Sequence, residues 1–164
     1  MALLILGRWT DDPGVSVDTI ETALFDSGRP VLISPAAALA ALPETIVVAW
    51  KATPEAARAV GAAMPLLLTA KQIHILTIAE DEGLPDEEEP RLLTSLRWHG
   101  FNVSMRRLPP GPQGAASTLL SEAAEQAALV VMGAYGNSQL RQWIFGGFTR
   151  QVLQGAEVPV LMMH

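Results

Sequence analysis

Five short apolar runs, separated by segments with helical spacing, fill the chain from about Glu44 onward. Thr45-Ile46-Val47-Val48-Ala49-Trp50 and Ala128-Leu129-Val130-Val131-Met132 are continuous enough to predict strands buried on both faces. Gln72 to Ala79 and Val158 to Met163 read the same way, with Pro159 confined to a strand start or an edge. In the remaining run Phe101, Val103 and Met105 alternate with Asn102, Ser104 and Arg106, which predicts an edge strand with one wet face. Helices fall between them. Thr53-Pro54 is an N-cap followed by a first-turn proline, leading into Ala56, Val60, Ala63 and Met64. A helix from about Glu87 buries Leu92, Leu93 and Leu96 and stops at Gly100. Ala116, Leu119, Leu120 and Ala123 mark a third helix, and Leu140, Ile144, Phe148 and Val152 a fourth. Five strands alternating with four helices predict a doubly wound α/β domain with a five-stranded parallel sheet over residues 44–164.

The first 36 residues repeat the end of that domain. Leu3-Leu4-Ile5-Leu6-Gly7 parallels Val130-Val131-Met132-Gly133, and Arg29-Pro30-Val31-Leu32-Ile33 parallels Val158-Pro159-Val160-Leu161-Met162. Ile20, Ala23 and Leu24 supply a short amphipathic helix between them. Residues 1–36 thus read as a strand–helix–strand remnant of a preceding repeat, and 37–43 as a linker to the complete domain.

Composition excludes several function classes. A net charge of -6 disfavours nucleic acid, whose phosphates need a basic surface. The absence of cysteine rules out disulfides and thiolate metal sites. Met1 to Leu6 is too short for a membrane span and lacks the form of a signal peptide, so a cytoplasmic protein is expected. The three histidines have no metal-ligand spacing: His74 is expected to be a satisfied core residue, His99 to sit at a helix end, and His164 to be terminal. Glu80 to Glu89 reads as a solvated acidic loop rather than a cation site. No nucleophile has an adjacent base, and Ser138 has no nucleophile-elbow context. No catalytic residue is therefore assigned, and at most slow ATP hydrolysis is expected.

The motif with chemical content is a set of glycines. Gly133 and Gly136 follow a buried strand, and Gly146-Gly147-Phe148-Thr149 precedes the last helical pattern. Glycines here let backbone amides approach a ligand, and a helix N-terminus favours a phosphate. With this spacing the run from Leu129 to Met163 resembles the C-terminal signature of the universal stress protein (UspA) family: glycine, two residues, glycine, nine residues, glycine, then serine or threonine. The remnant resembles the end of a preceding copy in tandem members.

The resemblance implies an adenine nucleotide α-hydrolase-like, Rossmann-like sheet with order 3-2-1-4-5. In such a sheet ligands bind between the carboxyl ends of strands one and four. It implies ATP, with or without magnesium, bound by Ala49 and Lys51 after strand one, Ile78 after strand two, and Met132, Gly133, Gly136, Gly146, Gly147 and Phe148 around the glycine loop. Two positions depart from the ATP-binding pattern. Lys51 stands where an aspartate is usual, and Gly147 where a hydroxyl residue is usual; the missing hydroxyl is worth about 0.5–1.5 kcal/mol. The function implied is an ATP-binding stress-response and signalling module that forms a homodimer through its last strand. The alternative is an interaction module of the same fold without nucleotide. Val31 to Ser34 competes for the same last-strand edge within one chain, and the sequence leaves that choice open. A small enzyme of the wider group would need acid–base groups that the sequence does not offer.

Overall fold

The computed structural model describes residues 2–7, 16–78, 91–134 and 147–164. Its elements in chain order are β1 (Leu4–Gly7), α1 (Val17–Asp26), β2 (Val31–Ser34), β3 (Thr45–Ala49), α2 (Pro54–Leu67), β4 (Gln72–Ile78), α3 (Arg91–Trp98), β5 (Val103–Leu108), α4 (Ala115–Glu125), β6 (Leu129–Gly133), α5 (Gly147–Gly155) and β7 (Val160–Met163). Local chemistry sets the helix starts. Thr53 accepts a hydrogen bond from the Ala56 N–H at 3.3 Å, and Pro54 follows in the first turn, where its missing donor is not needed. Ser16 caps α1 in the same way through the Thr19 N–H.

The strands form one sheet in the order β1-β2-β7-β6-β3-β4-β5. Within it lies the expected 3-2-1-4-5 order, as β5-β4-β3-β6-β7. All neighbours are parallel except β2 and β7, which are antiparallel. One face carries α1, α4 and α5 over Val31, Ile33, Val47, Val130 and Met162. The other carries α2 and α3 over Ile46, Val48, Ile75, Val131 and Leu161. This doubly covered arrangement explains the unbroken apolar runs of β3 and β6, since each successive side chain enters one core or the other. The expected edge strand is β5. Its Ser104 and Arg106 lie in register with His74 and Leu76, and Arg106 pairs with Glu122 of α4 at 2.7 Å.

Two expectations change. The sheet of described strands has seven members rather than five, because the remnant's β1 and β2 join it through β7, the intrachain arrangement that the sequence left open. The expected homodimer contact through the last strand also loses its edge. Leu32 pairs with Leu161, Val31 with Met162 and Ile33 with Val160, so β7 has β6 on one side and β2 on the other. With both flanks hydrogen-bonded, β7 has no free backbone row to offer a second copy. The helical pattern over Leu140 and Ile144 and the acidic stretch from Glu80 to Glu89 lie outside the described residues.

Candidate functional site

Strand order reverses at β3. The chain moves outward through β4 and β5 on one side and through β6 and β7 on the other, which leaves a crevice at the carboxyl ends of β3 and β6. Ala49 pairs in register with Met132 there, and with Leu76 of β4. Ala49, Ile78, Met132 and Phe148 all pack into the core under α4 and α5. The structure therefore brings four of the expected site residues onto one face of the sheet at this end. Met132 is fully enclosed, whereas Ala49, Ile78 and Phe148 are partly open.

Lys51 is exposed just beyond β3. Its turn is fixed by backbone bonds: the Thr53 N–H donates to the Lys51 carbonyl at 2.7 Å, and the Trp50 N–H to the Leu76 carbonyl at 2.8 Å. Thr77 Oγ1 also donates to the Trp50 carbonyl at 3.2 Å. Gly147 opens α5, where the helix dipole favours an anion, and a Cβ added at Gly147 would meet none of the described residues within 4 Å. Gly136 and Gly146, also expected at the site, lie outside the described residues, as does Ser138.

Gly133 has a packing role that the sequence did not reveal. A Cβ there would stand 2.6 Å from the Ala56 nitrogen and 2.7 Å from the Glu55 carbonyl carbon. The end of β6 thus lies directly beneath the first turn of α2, and only glycine allows that approach. Glu55 itself pairs with Arg58 at 3.1 Å, while its Oε2 is buried with no partner among the described residues. The chain end closes the same corner. His164 shares a hydrogen bond with the Ala134 carbonyl through Nδ1 at 3.1 Å, its own carbonyl accepts from Arg58 Nε at 3.1 Å, and its ring meets Phe25 of α1 edge-on at 4.6 Å. Apart from the Glu55–Arg58 pair within α2, nothing local in the sequence signals these contacts, because they join residues far apart along the chain.

The other histidines are structural. His74 Nδ1 and Ser104 Oγ lie 2.7 Å apart, and His99 Nδ1 donates to the Ser95 carbonyl at 2.7 Å. Burial chiefly holds the His74 pKa below its ordinary value; the Arg106 charge adds to this and the Glu122 charge opposes it. Among the described residues no group of three or more acidic or histidine side chains is placed to hold a metal. None of their helices is long and apolar enough to cross a membrane. An open groove of about 390 Å³ between α4 and α5, bordered by Ser117, Leu120, Ser121 and Gln151, includes none of the expected site residues.

The glycine-bearing end of the chain has a counterpart among known families. Residues 111–164 match the universal stress protein family. The fold agrees with that match over a longer span. A universal stress protein from Archaeoglobus fulgidus DSM 4304 superimposes with a TM-score of 0.70 at 19% identity, covering 98% of this chain and 60% of that protein. A putative universal stress protein from Pseudomonas aeruginosa UCBPP-PA14 gives 0.68 at 20% identity, covering 98% of this chain and 62% of that one. A second Archaeoglobus fulgidus universal stress protein gives 0.56 at 21% identity, covering 76% of this chain and 99% of that one. The chain therefore spans less than two thirds of the longer relatives and almost the whole of the shorter one. Among curated proteins none matches.

Proposed function

We propose that the chain is a universal stress protein module that binds an adenine nucleotide, ATP with or without magnesium, at the carboxyl ends of β3 and β6, and signals rather than catalyses. The observation that carries this reading is the convergence of Ala49, Ile78, Met132 and Phe148 on one apolar face at the point of strand reversal. That face suits an adenine ring. The Lys51 ammonium, exposed just beyond β3, and the first turn of α5 at Gly147 would compensate the charge of a triphosphate bound there. Lys51 replaces an expected carboxylate, so phosphate charge is met directly by the protein. Magnesium, when bound with the nucleotide, would add further neutralisation. A stress-responsive, cytoplasmic role belongs to the same proposal.

Freshly purified protein is denatured and its supernatant chromatographed for nucleotide, and intact protein is titrated with Mg-ATP by calorimetry. Co-purified ATP or micromolar binding supports the reading. Absence of both nucleotide and heat rejects it, and leaves a fold used for protein interaction.

A further inference from the structure

β3, β4 and β5 run parallel, so the segments leading into them all lie at the end of the sheet opposite the crevice. Each presents a large apolar side chain to solvent. Trp98, the last residue of α3, is 88% exposed; Leu68, at the end of α2, is 71% exposed; and Leu42, just ahead of β3, is 55% exposed. Hydrogen bonds hold the three segments side by side. The Lys71 N–H donates to the Glu44 carbonyl at 2.7 Å, and Asn102 Nδ2 donates to the Lys71 carbonyl at 3.2 Å. Apolar side chains scattered singly over a surface need no explanation, but three on adjoining segments, with a tryptophan among them, mark a contact surface.

Charge sets the kind of partner. Residues 91–108 contain four arginines and no aspartate or glutamate, in a chain of net charge -6. Arg91 and Trp98 are seven residues apart and share the outer stripe of α3 with Thr94 and Ser95, all exposed. Arg97, beside Trp98, is exposed as well. Lys71 is balanced by Glu44 at 2.7 Å, so the excess positive charge sits on α3. Backbone donors at this end are already engaged within the chain: the Gly100 and Phe101 N–H groups donate to the Arg97 and Leu96 carbonyls, and the Ala70 N–H to the Leu67 carbonyl. The surface thus offers side chains rather than a backbone ladder, which suits a partner whose own backbone is satisfied inside a helix.

We infer that this end of the molecule is a docking surface for an acidic amphipathic helix of a partner protein. The apolar stripe of that helix covers Trp98 and Leu68, and its carboxylates meet the arginine-bearing face of α3. The surface lies at the opposite end of the sheet from the candidate nucleotide site, so it stands whether or not a nucleotide binds there.

The probe is a fluorescein-labelled helical peptide of roughly 20 residues, about the length of a small domain, with leucine and phenylalanine along one stripe and glutamate elsewhere. Its affinity for the full chain is read by fluorescence anisotropy, beside a counterpart carrying lysine in place of every glutamate. The acidic peptide is expected to bind at least about tenfold more tightly, with the margin shrinking as salt rises. Trp98→Ser is expected to weaken it by about tenfold or more, and Arg91→Glu by about threefold or more. Neither change should move the thermal midpoint, because both side chains are exposed. Equal affinity for the two peptides, binding of neither, or binding that survives Trp98→Ser overturns the inference. So does Trp98-dependent binding to phosphatidylglycerol vesicles in preference to the peptide, since the partner is then a lipid surface. A full chain that sediments as a dimer, and as a monomer once Trp98→Ser is made, overturns it too, because a second copy then covers this end.

Discussion

Leu32 and Leu161 face each other at the centre of the antiparallel β2–β7 pair, and each is the middle residue of the same three-residue segment in its own half. Val31, Leu32 and Ile33 match Val160, Leu161 and Met162 in the repeat, and Val31 pairs with Met162 just as Ile33 pairs with Val160. A local twofold axis therefore passes between the two leucines. Such a joint is self-complementary, as an interface between identical subunits has to be. Here a single chain supplies both sides.

Removing residues 1–36 takes away one side of this joint and leaves the edge of β7 open. The shortened chain keeps β3 to β7 and both core layers over them. It is expected to fold and to dimerise, with Leu161 meeting its own copy in place of Leu32. Sedimentation velocity decides this: a doubled mass is expected, and a folded monomer across the micromolar range contradicts it. Loss of cooperative unfolding would show instead that β1, α1 and β2 are integral to the core.

The packing of Gly133 under α2 makes a second contrast. Gly133→Ala places a methyl group 2.6 Å from a backbone nitrogen, and a backbone cannot rotate aside as a side chain can. The expected loss is about 1–3 kcal/mol of stability, the usual cost of overpacking. Gly7→Ala, at the matching position, meets open space and should stay within about 0.5 kcal/mol of the parent. Urea denaturation of both variants reads the difference.

These contrasts show where the sequence speaks and where it is silent. The start of α2 was legible because Thr53 and Pro54 act on their own neighbours. The buried strands were legible because two-sided burial leaves a continuous apolar record. The partner of β7 was not, since a backbone edge accepts any strand of suitable shape and the side chains of Val31 to Ser34 suit either arrangement. The glycine at 133 was legible as a special position, but its reason lay across the fold in Glu55 and Ala56. Of the candidate site, the residues on strand ends could be placed from pattern and resemblance together; the contacts of His164 with Ala134, Arg58 and Phe25 depend on tertiary closure alone.

His74 gives the molecule a defined pH response. Its folded pKa is lowered from 6.5, first by burial and then by Arg106, with Glu122 acting in the opposite sense. The unfolded chain therefore binds the proton more readily. The contribution of neutral His74 to stability is complete above about pH 6.5 and is lost as pH falls through the lowered folded value. His74→Gln should reduce the fall in urea midpoint between about pH 7.5 and about pH 5. By NMR titration, Arg106→Gln should move the His74 pKa up, and Glu122→Gln should move it down. Shifts of the opposite sign would remove these two charges from the account.

At the candidate nucleotide site, Gly147 and Lys51 separate two contributions. Gly147→Ser restores the hydroxyl that the resemblance leads one to expect, at a position with room for a side chain. If the phosphates lie at the start of α5, Mg-ATP affinity should rise roughly two- to tenfold, the equivalent of one added hydrogen bond of about 0.5–1.5 kcal/mol. Lys51 is exposed, so its charge acts through water and is screened. Lys51→Ala should weaken binding by roughly fivefold at most, with the difference shrinking as salt rises. Neither change should alter thermal stability, because neither position is buried. Calorimetric titrations at low and high salt test both variants. A salt-insensitive loss at Lys51 would point to a displaced turn instead of a lost charge, and an unchanged affinity in Gly147→Ser would place the phosphates away from the start of α5.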